Sequence, residues 1–392
     1  MSKIKIIFPT AYFCSWNGGT KLIKMCIESI LYFDKKRSFK YIILVPDKNI
    51  ISAIKRIYFI IKNFINGLFK FKITYIEWPY YNGAKEIRKS FSDRKNVEII
   101  GADFREEEKY ANNYDVNFLS MHLSSKGKKI GYIFDFQHKY LKKFFSKKQQ
   151  KDRNILFNKI VKNNKLVIVN SHQAKNDIFK FIRKKTNIFV LPFLPFLDFD
   201  LNDIKKKIIK EKYFIICNQF WSHKNFETAI HAFKYLKDLN LNLVITGQLS
   251  NKNLNYYNSI KKLINENELQ KKILLLNNLK KTDQLSLINH SLGLVQPSLF
   301  EGGPGGFSVY EAISLNKQVI VSDIKVNKEI KYKKIIYFKS KSYIDLSIKL
   351  REAYNKKLNL ITKKKLIKYS NSNKFLFGKF LYNLILNNYH KL

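Results

Sequence analysis

Short apolar runs alternate with longer amphipathic stretches along the first half of the chain. The runs are rich in Ile and Val, which is typical of strands buried on both faces of a parallel sheet. They are Lys3–Phe8, Tyr41–Val45, Lys129–Phe134 and Leu166–Asn170. Helical periodicity predicts helices at Lys21–Phe33 and His172–Ile182, the second with Ser171 as its N-cap. This alternation predicts a doubly wound α/β domain.

The second half of the chain repeats the alternation. Its apolar runs predict strands at Tyr213–Cys217, Leu241–Thr246, Lys272–Leu276, Gly293–Gln296 and Gln318–Ser322. Its helices are predicted at Asn225–Lys237, Leu254–Glu268, Lys281–His290, a segment that begins near Phe307, and Ile361–Leu392. Two such halves predict two Rossmann-like domains that face each other across a cleft. Ligands of such sheets bind beyond the carboxyl ends of the strands.

A boundary between the halves is predicted where two prolines interrupt the pattern. Pro192 and Pro195 break regular structure, and a charged stretch follows them. We therefore expect an N-terminal domain at 1–195, a linker at 196–211, a C-terminal domain at 212–370, and a C-terminal helix at 371–392 that packs back towards the N-terminal domain.

Composition narrows the class of protein. The 392 residues are 45% hydrophobic and 15% aromatic, which excludes wholesale disorder. The three cysteines, Cys14, Cys26 and Cys217, form no CxxC pair, so we expect neither a disulfide framework nor a cysteine zinc site. A reducing compartment fits this composition best, and the N-terminus shows no signal peptide, so we expect a cytoplasmic protein.

The net charge of +43 points to a polyanionic partner or to a general bias towards lysine. Residues 1–200 hold 39 basic and 17 acidic side chains, and residues 201–392 hold 34 and 13, so no detachable basic tail exists. No nucleic-acid-binding motif is present, which disfavours a nucleic-acid partner. No segment is apolar enough to span a bilayer. The positive charge still allows attraction to an anionic membrane surface, which remains an open alternative.

Two basic segments bear on membrane contact. Ile54–Phe71 has the spacing of a basic amphipathic helix, which either covers the sheet or docks on anionic lipid. A second group suits a phosphorylated acceptor or is simply a solvated face. It consists of Lys142, Lys143, Lys147 and Lys148.

A glycine-rich loop between Gln296 and a predicted helix is the most informative chemical feature. Its glycines let backbone N–H groups approach a ligand, and the N-terminus of the helix behind them favours an anion. They are Gly302, Gly303, Gly305 and Gly306. Glu301 and Glu311 flank the loop, and carboxylates beside an anion site suit a ligand with both hydroxyls and phosphates, such as a nucleotide sugar. The alternative is a glycine-rich turn with two solvated glutamates.

This segment resembles the donor-binding motif of family 4 of the retaining glycosyltransferases, which have the GT-B fold. The matching pairs are Pro297-Ser298, Glu301-Gly302, Glu311-Ala312 and Ser322-Asp323. Nine residues separate the glutamates here, whereas the family usually has seven. We interpret the difference as a two-residue insertion around Gly303–Gly305, which changes the loop amides and keeps both glutamates.

The resemblance extends to three further segments. Phe214–Asn225 resembles the opening of the family's C-terminal domain, with Lys224 at the position of the lysine that contacts the donor diphosphate and Gln219 in place of its companion arginine. Gly131–Phe145 resembles the family's Asp-x-Gln-His segment and contains His138, which otherwise is an ordinary loop histidine. The Gly18-Gly19 pair matches the N-terminal glycine loop.

The resemblance implies a role for each residue. Lys224, the helix dipole and the loop amides near Gly305–Phe307 would hold the diphosphate, with Gln219 as a neutral donor. Other residues assigned to the donor are Gly18, Gly19, Gly302, Gly303, Gly306 and Ser308. Glu301 would bind donor-sugar hydroxyls, Glu311 the nucleotide ribose, and His138 would lie at the transferred sugar. Together with Lys224 and Glu301, His138 forms the predicted catalytic set.

The predicted function is therefore a hexosyltransferase-type retaining glycosyltransferase, which moves a sugar from a nucleotide-diphosphate-sugar to an acceptor hydroxyl. No cofactor and no metal are expected, since the sequence shows no ligand spacing for one. The expected partners are the donor, a glycan or lipid-linked acceptor of polysaccharide or lipopolysaccharide assembly, and a peripheral membrane surface. The alternatives are a nucleotide-sugar epimerase of the same fold and a basic membrane- or nucleic-acid-binding protein.

Overall fold

A computed structural model describes most of the chain. The described residues are 3–46, 80–102, 106–107, 110, 114–121, 128–184, 186–205, 207–249, 253–356 and 361–390. The amphipathic segment predicted at Ile54–Phe71 lies outside these residues. None of the described helices is long and apolar enough to cross a bilayer.

Seven parallel strands form the sheet of the N-terminal half. The strands are β1 (Ile4–Pro9), β2 (Phe39–Val45), β3 (Val97–Gly101), β4 (Val116–Ser120), β5 (Lys129–Ile133), β6 (Leu166–Val169) and β7 (Asn187–Val190). Their order across the sheet is β3-β2-β1-β4-β5-β6-β7. The order reverses direction between β1 and β4, and ligands of doubly wound sheets bind at the carboxyl ends of such a pair.

Helices cover this sheet. They are α1 (Ala11–Cys14), α2 (Asn17–Phe33), α3 (Tyr80–Phe91), α4 (Gln137–Tyr140), α5 (Lys147–Asn163) and α6 (His172–Phe181). The hydroxyl of Ser171 accepts a hydrogen bond from Ala174 N at 3.0 Å, which confirms the predicted N-cap of α6. Ser146 and Gln149 form a capping box at the start of α5.

Six parallel strands form the sheet of the C-terminal half. They are β8 (Lys212–Cys217), β9 (Leu241–Thr246), β10 (Ile273–Leu276), β11 (Gly293–Gln296), β12 (Gln318–Ser322) and β13 (Ile335–Phe338). Their order, β10-β9-β8-β11-β12-β13, repeats that of the first sheet, with its reversal between β8 and β11. The helices of this half are α7 (Phe226–Phe233), α8 (Leu254–Glu266), α9 (Lys281–His290), α10 (Gly306–Ser314) and α11 (Tyr343–Asn355).

The last helix, α12 (Lys363–Asn388), returns to the N-terminal half. Its apolar side chains Phe377, Leu381 and Ile385 join the N-terminal core, and Gly378 packs so closely on α2 that a Cβ there would lie 2.0 Å from Ser29 O. The helix begins at Lys363, so residue 371, where the C-terminal helix was expected to start as a separate unit, lies inside it.

Most predicted elements match the structure to within a few residues. The elements without a sequence prediction include the strands β3, β4, β7 and β13 and the helices α3, α5 and α11. Glu98 interrupts the apolar run of β3, and Asn117 interrupts that of β4. α5 carries a polar sequence and buries only Phe157, Ile160 and Val161, so its apolar stripe is narrow.

Candidate functional site

The loops that follow β5, β6 and β11 meet between the two halves. Ser171 Oγ donates a hydrogen bond to Gly302 O at 3.2 Å, so the N-cap of α6 also joins the opposite half. A Cβ on Gly302 would lie 2.8 Å from Phe134 O, and one on Gly303 would lie 3.2 Å from the Cβ of Asn170. The glycine-rich loop therefore packs directly on the carboxyl ends of β5 and β6, and its glycines are needed for that approach.

The same loop turns sharply before α10. Gly305 and Gly306 have φ angles of +65° and +67°, in the left-handed region that favours glycine. Gly305 N donates to Asn327 Oδ1 at 3.0 Å, which fixes the turn. Phe307 and Ser308 follow in the first turn of α10, so their backbone N–H groups lie at the N-terminus of the helix, beside the loop. Such a terminus attracts anions.

Lys224 and Glu301 come together beside this loop. Lys224 lies in a 3₁₀ turn after β8, and its Nζ is 2.6 Å from Glu301 Oε1. Gln296 Nε2 donates to the same carboxylate oxygen at 2.7 Å and to Gly305 O at 3.1 Å. Asn218 Nδ2 donates to Gln296 Oε1 at 2.5 Å, which fixes the amide of Gln296. The end of β11 thus orients a carboxylate and an ammonium group at the helix N-terminus.

Gln296 and Asn218 were not among the predicted site residues. Both are buried, and both follow or end a strand at the reversal between β8 and β11. The signal available in the sequence was the position of each amide side chain, at or just after the carboxyl end of an apolar run.

Glu311 is buried and lies among cations. Only 3% of its side chain is exposed, Lys281 Nζ lies 2.6 Å from Oε1, and Lys21 of α2 forms an ion pair with the same oxygen. Burial opposes ionisation of the carboxyl, but the two lysines outweigh it and lower the pKa of Glu311 to about 2. Glu311 is therefore a permanent carboxylate at the junction of the two halves.

His138 lies in α4, beside the loop that follows β5, but it does not face open space. Its ring is 1% exposed and contacts Phe136, Phe145 and Phe157. Nε2 is 2.9 Å from Asn154 Oδ1. Burial lowers the pKa of His138, so its ring stays neutral. Among the described residues, His138 contacts neither Lys224 nor Glu301.

Asp135 lies beside the glycine-rich loop. Its Cβ lies 3.0 Å from where a Cβ on Gly302 would stand, and its Oδ1 accepts from Gln137 N at 2.9 Å and from Arg153 Nη1 at 3.3 Å. Burial raises the pKa of Asp135, Arg153 opposes this, and the charge of Glu301 adds to it. Sequence reasoning singled out the histidine of this segment and missed the aspartate that starts it.

The remaining predicted residues line the same junction. Gly18 and Gly19 belong to the first turn of α2, where a Cβ on either would clash with the indole of Trp16 at 2.5–2.6 Å. The absence of a side chain at both positions therefore makes room for the Trp16 ring. Gln219 Oε1 accepts from Trp221 Nε1 at 3.0 Å, and Gln219 Nε2 donates to Gln248 Oε1 at 3.4 Å.

No three His, Cys, Asp or Glu side chains converge as metal ligands within the described part of the chain. The expectation that no metal or cofactor is required stays a prediction, which activity after chelation would test.

Residues 198–372, a little under half of the chain, match the family described as glycosyl transferases group 1. No curated protein matches the sequence closely enough to report. The matched segment contains Lys224, Glu301, Glu311 and the glycine-rich loop. The predicted resemblance to group 1 glycosyltransferases is therefore confirmed.

Solved structures resemble the whole chain. A glycosyltransferase from Rickettsia africae is 14% identical with a TM-score of 0.61, and the match covers 100% of this chain and 99% of that one. The Anabaena protein Alr3699/HepE, solved with UDP-glucose, is 13% identical with a TM-score of 0.62 and coverage of 99% and 100%. Sucrose-phosphate synthase from Thermosynechococcus elongatus is 11% identical with a TM-score of 0.61 and coverage of 99% and 97%. At these identities the likeness concerns the fold, and it confirms the predicted pair of Rossmann-like domains of the GT-B type.

Proposed function

We propose that the protein transfers a sugar from a nucleotide-diphosphate-sugar to an acceptor hydroxyl, because residues 198–372 match the family of glycosyl transferases group 1. The Lys224–Glu301 pair at the N-terminus of α10 carries the proposal. It brings a cation from the turn after β8 and a carboxylate of the glycine-rich loop to the start of α10, which is what a ligand with phosphates and hydroxyls requires.

The diphosphate is proposed to lie at the start of α10. Lys224 would turn from Glu301 to the phosphates, and the amides of Phe307 and Ser308 and the helix dipole would add to the positive potential there. Gly305 N, which the sequence assigned to the diphosphate, instead donates to Asn327 Oδ1 at 3.0 Å. Gln219 would assist as a neutral donor. The Anabaena protein of the same fold was solved with UDP and glucose and with UDP-glucose, which makes uridine nucleotides the first donors to test.

Two carboxylates are proposed to recognise the donor's hydroxyl groups. Glu301, once Lys224 has turned away, would accept from hydroxyls of the sugar, while Gln296 keeps its orientation. Glu311 would accept from the ribose. Glu301 precedes α10 and Glu311 lies within it, on either side of the proposed diphosphate site. The sugar and the ribose likewise lie on either side of the diphosphate in a nucleotide sugar.

The chemical step is proposed to retain anomeric configuration, as the family resemblance implies. The acceptor hydroxyl attacks the anomeric carbon on the face from which the diphosphate leaves. The new carbon–oxygen bond forms as the bond to the phosphate oxygen breaks, and that oxygen takes the hydroxyl proton. Asp135 lies beside the glycine-rich loop from the other half, where it would orient the acceptor. The role of His138 at the transferred sugar stays a prediction, and its burial makes the neutral ring the acting form.

An activity assay with a panel of nucleotide sugars tests the proposal, comparing wild type with Lys224→Ala and Glu301→Ala. We expect Lys224→Ala to lower kcat/KM by about 100-fold or more, the typical loss for a group that stabilises developing charge. Glu301→Ala should lower it by about tenfold or more, because hydroxyls of the donor sugar lose a charged acceptor. Matched controls are Lys237→Ala and Glu268→Ala, an exposed pair 3.8 Å apart in the same half. Full activity of both site variants would overturn the assignment, and conversion of the donor sugar without an acceptor would identify an epimerase instead.

We also propose a glycan or lipid-linked acceptor at an anionic membrane surface, as in polysaccharide or lipopolysaccharide assembly. The exposed face of α5 supports this, because Ile155 is 43% exposed and is surrounded by basic side chains. They are Lys148, Lys151, Lys159 and Lys162. Each lysine near such a surface contributes about 1 kcal/mol.

Flotation with vesicles tests the membrane proposal. Binding to anionic vesicles should exceed binding to neutral ones and should fall as salt is raised. The triple variant Lys148→Glu, Lys151→Glu, Lys159→Glu should lose it, while Lys261→Glu, Lys262→Glu on α8 should not. Equal binding by both variants would remove α5 as the docking face.

A further inference from the structure

Lys21 crosses from one half of the molecule to a carboxylate of the other. It lies in the second turn of α2, and its side chain is 14% exposed. Its Nζ pairs with Glu311 of α10, lies 3.4 Å from Asp198 of the connecting segment, and stands 5.4 Å from the centre of the Phe307 ring. Three elements that are far apart in sequence therefore converge on one ammonium group.

The two lysines at Glu311 contact the same oxygen atom. Lys21 and Lys281 both pair with Oε1, and no contact to Oε2 is found among the described residues. A carboxylate has two oxygens with lone pairs to offer. With Oε1 held by ammonium groups, Oε2 keeps its lone pairs for a further donor.

We propose that Lys21 is a positioning residue for ribose recognition: it fixes Glu311 through Oε1 from the opposite half, so that Oε2 accepts a ribose hydroxyl only when the two halves are closed. This deepens the proposed function and rests on it. Lys21 itself touches no part of the nucleotide in this arrangement. It acts through the orientation and charge of Glu311.

The neighbourhood of Lys21 explains why it acts across the junction. Lys21 forms ion pairs with both Glu311 and Asp198. These two carboxylates raise the pKa of Lys21 above its usual range in spite of its burial. Lys281 is half exposed, with 50% of its side chain accessible, and belongs to the same half as Glu311. When the halves part, Glu311 keeps only this exposed partner, and its carboxylate gains freedom to rotate.

Calorimetric titration of the full-length protein tests the proposal with four probes: UDP, GDP and their 2′,3′-dideoxy forms. For the ribonucleotide that wild type binds, Lys21→Met should weaken binding about tenfold, the loss of one oriented hydrogen bond to a charged group. Binding of the matching dideoxy nucleotide should change less than about twofold, because its sugar has no hydroxyl for Glu311. In a Glu311→Gln background, Lys21→Met should have no further effect.

Three variants control the experiment. Lys21→Arg keeps the ion pair and should restore binding to within about threefold of wild type. Lys281→Met removes the exposed partner and should weaken ribonucleotide binding less than Lys21→Met does. Lys24→Met removes a lysine of the same helix that pairs with Glu86 of its own half at 2.7 Å, and should leave binding unchanged.

Two results would overturn the proposal while leaving the proposed function intact. An equal loss for ribo- and dideoxy nucleotides would mean that Lys21 acts on the phosphates or on the fold. Tighter ribonucleotide binding by Lys21→Met would mean that Lys21 competes for Glu311. If wild type bound none of the four nucleotides and no nucleotide sugar, the proposed function would fail and this inference with it.

Discussion

The two halves of the molecule share one strand order but differ in what they present to the junction. The C-terminal half presents charge and polar backbone: the Lys224–Glu301 pair, the glycine turn and Glu311. The N-terminal half presents a tight packing surface at Phe134 and Asn170, the helix start at Ser171, the carboxylate of Asp135 and the ammonium group of Lys21. A repeated architecture thus divides its chemistry unevenly. The carboxyl ends of the strands carry the glycine-rich loop in one half and the surface on which that loop packs in the other.

We therefore expect residues of the N-terminal half to influence the proposed donor mainly through the contacts that hold the two halves together. Ser171 and Gly302 meet at 3.2 Å, and Glu329 of the C-terminal half accepts from His172 N and Gln173 N at 2.8 Å each. Substitutions in the C-terminal loops should therefore damage nucleotide binding, and substitutions at the packing surface should damage transfer.

The largest expected effect concerns the cluster that joins the halves at Glu311. Its pKa is about 2, below the ordinary value of 4.5, so its ion pairs stabilise the fold fully above pH 4.5, and that stability is lost as the pH falls through 2. Glu311→Gln should cost on the order of 3 kcal/mol of unfolding free energy at pH 7. Urea unfolding of wild type and variant from pH 7 to pH 3 measures the difference, which should shrink towards acid. A constant difference would show that packing, and not charge, links the halves.

The next effect isolates the C-terminal loop. Gly305→Ala places a side chain at φ +65°, which costs about 1–2 kcal/mol, and sets its Cβ 2.6 Å from Val309. We expect nucleotide affinity to fall by about 30-fold or more, measured by calorimetry, as the loop amides shift. The melting temperature separates this from unfolding. Wild-type affinity in a folded variant would show that these amides do not hold the diphosphate.

A smaller effect isolates the packing surface. Gly302→Ala puts a Cβ 2.8 Å from Phe134 O and pushes the two halves apart. We expect kcat to fall about tenfold because the acceptor side is displaced from the donor. Nucleotide affinity should fall by no more than the roughly tenfold expected of Lys21→Met, because parted halves also free Glu311. Steady-state kinetics and calorimetry on the same preparation provide the test. Loss of affinity without loss of kcat would reverse the division between the halves.

The smallest effect concerns the carboxylate at the start of α6. Glu329→Gln keeps one acceptor for the two backbone donors but removes the charge, which is worth about 0.3–1 kcal/mol at a helix N-terminus. A small drop in melting temperature that fades in high salt is expected. The control is Glu352→Gln, because Glu352 forms an ion pair with Lys349 of its own helix. Equal drops in both variants would deny Glu329 any role between the halves.

Much of the fold could be predicted because its signal is local. Gln318–Ser322, Leu241–Thr246 and Lys281–His290 have in the structure the ends that the pattern predicted. The apolar runs of the two strands are bounded by polar residues, which defines the ends of buried strands. Strands β3 and β4 escaped prediction because Glu98 and Asn117 interrupt their apolar runs.

The site shows the limit of local signals more clearly. Lys224 and Glu301 were predicted from a motif, and they lie 2.6 Å apart. His138 came from the same kind of match, yet its ring is enclosed by aromatic side chains, and the neighbouring Asp135 is the one that faces the loop. Which of two polar residues three positions apart turns towards the junction depends on the helix start at α4 and on the packing of α5.

The class of fold, the place of the glycine-rich loop and the group 1 match follow from the sequence, because alternation and motifs are properties of neighbouring residues. The partner of each charge follows from the tertiary structure. Lys21 and Glu311 are 290 positions apart and belong to helices of different halves. Their pairing exists because two sheets of the same order bring their carboxyl ends together, and charge interactions depend on that distance, not on sequence.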